Sequence, residues 1–554
     1  MQKNIKLNLT TKIGLTILLS FTTLSFATNY YVDCNNPSAN DSNPGTLNSP
    51  WETIKHAAET LAAGDTVFVR AGIYNEHVYL GQDGNSAQGY IVFSAYPGET
   101  PIIDGTGATE SNNGIIITAS YVKLLGFEIR NWDENGIWIE STANFEISDC
   151  VVHNVYYGIG VADGSYDFEF NRVTAHHFTL YGFDVSTSGG ADCYNGTFND
   201  CIAHTGRDRE QNVDGFALGH GTQHDFVFNR CIVYDVYDGF DISSRNSTLN
   251  GCLAYNCWNG SYKLWQDNVK LINCIGHSCP GSNVELDWDE QPGTTHLINC
   301  TFFNAGSFTV WIENSGDRLR MFNCILAGGD NIGLAFEQTG VSNYEGDYNI
   351  FHNDNLNRAI AVAYTDEFTL DQVKNGTWTT YSGQDVHSLV EYSDANLFVD
   401  PANLELHLIE TSLAVDHARS DLAPPIDFDG NTRPIGSGFD IGAYEYGSPV
   451  SVQYNKETFS KSKSFQIFQS YPNPFNSNTV ISYQLNKPMT VEIEIFNIYG
   501  QSIRRWQNAH TTIGEFIITW DARDNFGNLI PSGEYLCRVK TGDSYQAIKL
   551  IYLK

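Results

Sequence analysis

The chain has 554 residues, a formal net charge of −33, and 49 Gly, 30 Tyr and 32 Phe. A hydrophobic content of 42% is enough for a large core and excludes a disordered chain. Residues 448–554 hold 11 Lys and Arg against 8 Asp and Glu, so the acidity lies in the rest. A body of that sign repels phosphate backbones, which argues against nucleic-acid binding, and suits divalent cations.

Lys3, Lys6 and Lys12 precede an apolar run from Ile13 to Phe26, and Ser25-Phe26-Ala27 is a small-x-small cleavage pattern. Residues 1–27 are therefore expected to be a signal peptide, because the run is short for a membrane span. The protein is expected to be exported. Residues 28–446 are expected to form the main domain. Its first element is a capping helix over 51–63, with Ile54, Ala57, Ala58 and Leu61 on one face and Gly64 ending it.

Seven of the twelve cysteines end one recurring phrase, at Cys150, Cys201, Cys231, Cys252, Cys274, Cys300 and Cys324; Phe127 and Val173 fill the same slot in two more copies. Starting at Phe127, successive spacings are 23, 23, 28, 30, 21, 22, 26 and 24. A period of that size means stacked solenoid coils. A second phrase repeats in step, including Tyr181-Gly182-Phe183-Asp184-Val185, Asp214-Gly215-Phe216-Ala217-Leu218, Asp238-Gly239-Phe240-Asp241-Ile242 and Gly260-Ser261-Tyr262-Lys263-Leu264. Its alternation has period two, so it predicts short strands with apolar residues inward. Leucine-rich repeats share the period but need Leu-x-x-Leu-x-Leu and helical stretches, which are absent. The pattern predicts an all-β chain built as a right-handed parallel β-helix. The cysteines then form a buried thiol ladder. Cys257 and Cys279 hold equivalent places on adjacent coils, and the exported compartment leads us to expect a disulfide between them.

Asp427 to Tyr446 reads as a closing segment, and 447–464 as a Ser- and Lys-rich linker. Residues 465–554 contain alternating Val491, Ile493 and Ile495, then Trp520, then Tyr535, and predict a small immunoglobulin-like β-sandwich. This stretch resembles the type A sorting domain of the type IX secretion system. The resemblance implies passage across the outer membrane through that machinery, with release or surface attachment.

Chemistry belongs on the outward positions. Down the stack, the residue between the two inward apolar ones is Trp138, Gly160, Asp184, Ala217, Asp241, Lys263, Glu285, Thr309 and Gly333. Coils stack about 4.8 Å apart. Asp214 and Asp238 are then neighbours, Asp241 shares a strand with Asp238, and Lys263 sits one coil further on. Three carboxylates on one solvent-facing patch repel each other unless a cation compensates, and hard oxygen donors suit Ca²⁺. The rival reading makes Lys263 an ion-pair partner in a charge ladder with Asp241 and Glu285, and the Asp-Gly pairs mere turns.

Asn212 to Ala217, Tyr237 to Asp241 and Gly260 to Leu264 together resemble the core of the family-nine polysaccharide lyases, Ca²⁺-dependent pectate lyases on a parallel β-helix. By position, the resemblance implies Asp214, Asp238 and Asp241 as Ca²⁺ ligands and Lys263 as the Brønsted base. Tyr237 stands where the family usually has the first of two adjacent acids, and Ser-Tyr-Lys-Leu-Trp-Gln stands where it has Gly-Phe-Lys-Leu-Gly-Gly. The implied reaction is β-elimination on a uronate polymer such as pectate. Arg207 and Arg209, in the loop that lengthens one coil, Arg245, and Glu285 are candidates to line the cleft and bind substrate. Two alternatives stay open: a polygalacturonase-like hydrolase, towards which Gly219-His220-Gly221 points, and a non-catalytic surface adhesin. The chain is expected to act as a monomer.

Overall fold

A computed structural model describes residues 27–447, apart from short gaps at 187–189, 208–210, 220–222, 287–292, 314–315, 330–331, 338–340, 354–357 and 364, together with most of 465–553. The expected signal peptide (except Ala27), nearly all of the linker, Arg209, His220 and Gly221 lie outside the described residues. The chain divides into two compact units near residue 452.

The first unit is a parallel β-helix. Thirteen parallel strands, from Asn29–Val32 to Tyr344–Asp347, stack into one sheet. The other strands of each coil close a second, continuous surface. The slot residues stack as their spacing requires. Each following residue donates its N–H to the slot carbonyl one coil earlier: Thr174 to Cys150, Ile202 to Val173, Ile232 to Cys201, Leu253 to Cys231 and Ile275 to Cys252. The seven ladder cysteines are fully buried. Each turn before the slot needs a left-handed residue, filled by Asp149, Arg172, Asp200, Arg230, Gly251, Asn273, Asn299 and Asn323. Just upstream, Asn171, Asn199, Asn229 and Asn250 bond side chain to side chain at 2.9 to 3.1 Å, which satisfies their amides coil by coil.

Phe183, Phe216, Phe240 and Tyr262 stack through the interior with centroids 4.7, 4.9 and 5.2 Å apart. Tyr262 carries a hydroxyl into this core, and it donates to the carbonyls of Cys252 and Ile275 at 2.8 and 2.9 Å. A buried phenol is affordable only with such partners.

The helix is shorter than the sequence suggests. It runs Ile54–Thr60, capped by the Thr53 side chain on the His56 N–H, and buries Ile54, Ala57 and Ala58. Glu76 accepts from the N–H groups of Ile54 and Lys55, completing the N-terminus from another coil. The expected Cys257–Cys279 bridge is absent: all twelve cysteines are free thiols. The two thiols meet as hydrogen-bond partners without a covalent bond, and Cys279 Sγ also meets Ser261 Oγ at 2.9 Å.

After Ile350–Phe351 the regular coils give way to short helices, Leu370–Lys374 and Thr377–Ser382. The segment up to Tyr446 then folds back as a strap over the later coils. Asn273, Asn299 and Asn323, in the left-handed position of their coils, donate to carbonyls of Ile426, Asp440, Gly442 and Arg419, and Asn323 also donates to Asn299 Oδ1 at 3.0 Å. Arg433 lies fully buried against Glu445, 2.7 Å away.

A row of rings runs along the neighbouring strands: His153, His176, His204, Tyr234, Tyr255 and His277, with centroids 4.6 to 5.3 Å apart. His277 is fully buried, and burial pushes its pKa down to about 3. The folded state therefore resists protonation, and the stability this contributes is present above the unfolded pKa and falls as pH drops below it. His277→Phe keeps the ring and should remove about 2 to 3 kcal/mol of the stability loss between pH 7 and pH 4.5, read by denaturant titration at both pH values. An unchanged pH dependence would contradict this.

In the second unit, Phe465–Ile467, Thr479–Leu485 and Gly514–Trp520 form one antiparallel sheet. Ser502–His510, Met489–Asn497, Gly533–Thr541 and Ser544–Tyr552 form the other. Both contribute to one core around Ile481, Ile493, Ile495, Trp520, Val539 and Leu550.

Candidate functional site

Five of the expected residues come together on successive coils. Tyr181 pairs in register with Asp214, Ala217 with Asp241, Asp241 with Lys263, and Lys263 with Glu285. The Gly215 N–H donates to the Asp238 carbonyl at 3.0 Å, which sets Asp214 beside Asp238. Further along, the register differs from the expected one by two residues. Glu285 is followed by Trp311 and Ala335, in place of Thr309 and Gly333.

The acids do not share one solvent-facing patch. Asp214 and Asp238 are buried, 1% and 0% exposed, while Asp241, Lys263 and Glu285 are partly exposed. Asp214 opens the strand Asp214–Leu218 and Asp238 lies just before the strand Phe240–Ile242, and both side chains are covered. Asp238 Oδ1 accepts from Asn259 Nδ2 and the Gly260 N–H, both at 2.9 Å. Its Oδ2 faces Lys263 Nζ at 3.2 Å. Lys263 thus has Asp238 as its direct partner. The Lys263 ammonium also lies 5.2 Å from the Trp265 ring centroid. Asn212 Nδ2 donates to Asp214 Oδ2 at 3.0 Å, while Asp214 Oδ1 is buried with no hydrogen-bond partner.

Two upward shifts follow, one favouring a neutral acid and the other a charged amine. Burial, reinforced by Asp241 and Asp238, pushes the Asp214 carboxyl well above the usual carboxylate range. Burial also works against the charge on Lys263, but Asp238, Asp241 and Glu285 outweigh it and raise its pKa. Next to Ala217, Asp184 is pushed up to about 7 by burial.

Of the three candidate arginines, Arg207 and Arg245 are among the described residues. Arg207 donates to Asn154 Oδ1 and is exposed near His176 and His177. Arg245 pairs through its backbone with His224, at the bend leading to the thirteen-stranded sheet. Asn259, Gly260 and Trp265 emerge only from the structure. The single sequence signal for them is their place in the corners flanking the lysine strand.

Whether these residues fit a cation can be judged from the donors. Asp214 Oδ1 is an orphaned carboxylate oxygen in a cluster short of positive charge, and hard oxygens suit Ca²⁺. Among the described residues, no group of three or more His, Cys, Asp or Glu side chains is already arranged to hold a metal ion. Asp238 is turned to Lys263.

Residues 30–304 match the family described as Pel9A-like, right-handed β-helix region, and residues 469–553 match the secretion system C-terminal sorting domain. The chain is 25% identical over 299 residues to pectate lyase L of Paenibacillus polymyxa, covering 49% of this chain and 62% of that protein. It is 25% identical over 288 residues to pectate lyase PEL9 of Emericella nidulans, covering 48% and 66%. The chain thus spans just under two thirds of the length of these relatives. Among solved structures it is similar to pectate lyase Pel9A, at 15% identity and a TM-score of 0.46, covering 76% of this chain and 97% of that one. It is also similar to XylC in complex with xylose, at 11% identity and a TM-score of 0.50, covering 75% and 98%, which shows the fold alone. The sorting domain marks the protein as one secreted or attached at the cell surface by type IX export.

Proposed function

We propose that the protein is a Ca²⁺-dependent polysaccharide lyase that cleaves a uronate polymer, pectate or polygalacturonate, by β-elimination. The observation that carries this reading is Lys263, 3.2 Å from buried Asp238 and in register between Asp241 and Glu285. Asp214, Asp238 and Asp241 are the residues that would hold the cation. Bound Ca²⁺ supplies electron withdrawal at the uronate carboxylate, which makes the C5 proton more acidic. Lys263 Nζ takes that proton; the C5–H electron pair becomes the C4–C5 double bond, and the C4–O bond breaks with its pair on the departing oxygen. Lys263 must be neutral to act as a base, yet its acidic neighbours hold it protonated. Positive charge taken up by the same acids relaxes that hold, so ligand and base functions are coupled. Glu285, Arg207, Arg209 and Arg245 are proposed to meet substrate groups.

Purified protein incubated with a panel of uronate polymers, with and without Ca²⁺, should give the ultraviolet absorbance of an unsaturated product on polygalacturonate only when Ca²⁺ is present. Depolymerisation without that absorbance would favour the hydrolase, and no turnover on any polymer the adhesin. Asp241→Asn should raise the Ca²⁺ concentration needed for half-maximal rate about tenfold or more, with part of the rate restored by excess Ca²⁺. A rate loss that Ca²⁺ does not restore would remove Asp241 from the ligand set.

A further inference from the structure

The outward row that holds Asp241 and Lys263 continues towards the N-terminus as an apolar strip. In register, Tyr79 pairs with Ile116, Ile116 with Trp138, Trp138 with Gly160, Gly160 with Asp184, and Asp184 with Ala217. Tyr79 is 53% exposed, and Ile116 and Trp138 are partly exposed. Large apolar side chains on three consecutive rungs make a contiguous surface patch, and such patches mark binding sites. Ala217 leads on to Asp241 and then to Lys263. At about 4.8 Å per rung, Gly160 therefore stands about 19 Å from Lys263 along one continuous row.

Both aromatic rings of the strip lie down on the sheet. A Cβ placed on Gly160 would come within 2.4 and 2.5 Å of Trp138 Cε3 and Cζ3, so the indole covers the place that a side chain there would take. The indole N–H donates to Glu140 Oε2 at 2.9 Å. The Tyr79 ring covers Gly81 in the same way, and its hydroxyl lies 2.8 Å from that of Thr118. Rings laid flat and pinned at their polar edge have little freedom left to lose on binding. Their flat faces match the C–H face of a pyranose ring. The acids beside the indole decide which ring. Glu140 is bonded to its edge, and Asp184 follows one rung beyond Gly160. A carboxylate on a sugar stacked here would be repelled by these acids, whereas an uncharged sugar would not.

We propose that Trp138, with Tyr79 two rungs before it, is a stacking site for sugar rings of a polysaccharide, and that the ring it takes is uncharged, either a methyl-esterified uronate or a neutral sugar. That the same polymer runs on to Lys263 rests on the function proposed above; the stacking does not. The full chain is run in native gels carrying highly methyl-esterified pectin, neutral galactan or de-esterified polygalacturonate. A chelator is present, so that no cation holds a uronate at the acid cluster. Retardation should be stronger with pectin or galactan than with polygalacturonate. Pectin alone would assign the ring to an esterified uronate, and galactan alone to a neutral sugar. Trp138→Ala should weaken the affinity about tenfold, equivalent to about 1.4 kcal/mol, at an unchanged denaturant midpoint. Gly160→Ala should do the same by lifting the indole off the sheet, and it decides the matter should Trp138→Ala fail to fold. Wild-type retardation in both variants, or tighter retardation by polygalacturonate than by either uncharged polymer, would overturn the site. Adsorption to phosphatidylcholine vesicles with no retardation by any polymer would assign the strip to a membrane surface and also overturn it. Turnover with Ca²⁺ is scored separately, so failure of the stacking site and failure of the lyase reading are told apart.

Discussion

Lys263→Ala is expected to lower turnover of a uronate polymer by about 10²- to 10⁴-fold, the usual worth of a proton-transfer group. Its side chain is 15% exposed, while that of its partner Asp238 is fully buried. The alanine variant therefore also strands a buried carboxylate, and lost activity alone would not separate base from structural partner. Lys263→Arg separates them. Arginine keeps the ion pair with Asp238 but does not release its proton at any working pH. If Lys263 is the base, both variants are inactive and the arginine variant keeps wild-type stability. If Lys263 is only an ion-pair partner, Lys263→Arg stays active. Comparing turnover and denaturant midpoints of the two variants decides the matter.

Arg433→Ala should destabilise the strap by about 3 to 5 kcal/mol, because it removes the buried partner of Glu445, a carboxyl that burial already pushes up to about 7. The arginine does more than neutralise. Its guanidinium also donates to the carbonyls of Asp440, Gly442 and Ala443, at 2.8 to 3.1 Å, and to Asn273 Oδ1 at 3.3 Å on the coil beneath. Losing it frees both the strap's turn and its contact with the coils. The expected readout is faster proteolytic cleavage within 414–446, with cleavage of the central coils unchanged, since local opening follows local stability. Arg433→Met combined with Glu445→Leu removes both charges and should recover much of the loss. Wild-type protease resistance in Arg433→Ala would show that the strap is held by other contacts.

The solenoid was legible because its coil period and its inward slots are written in residue types that only a crowded interior explains. Cysteine, phenylalanine and valine recur at one place, and their backbone groups stack there. The slip at Thr309 and Gly333 has a physical origin. A strand read two residues out of register keeps the same faces inward, so alternation alone cannot expose the error. Only the pairing of Val284 with Val310 reveals it. At the candidate site, the order Asp241, Lys263, Glu285 followed from the repeat, because those residues share one outward position. What the repeat could not provide was corner geometry. Burial of Asp214 and Asp238, the capture of Asp238 by Asn259 and Gly260, and the 3.2 Å approach of Lys263 depend on how the chain turns between strands. Arg207 meets Asn154 because a long loop fixes neither direction nor reach.

The central claim is that bond cleavage occurs by elimination with Lys263 removing a carbon-bound proton, and its most direct test is the mass of the product formed in heavy-oxygen water. Polygalacturonate digested by the wild-type protein with Ca²⁺ should yield oligosaccharides one water lighter than hydrolysis products, each with an unsaturated non-reducing end, and with no heavy oxygen beyond what exchanges into a pre-formed reducing end in a control without protein. Saturated products carrying one heavy oxygen per cleavage would contradict the account, because they require water as the nucleophile and leave Lys263 no proton to take from carbon.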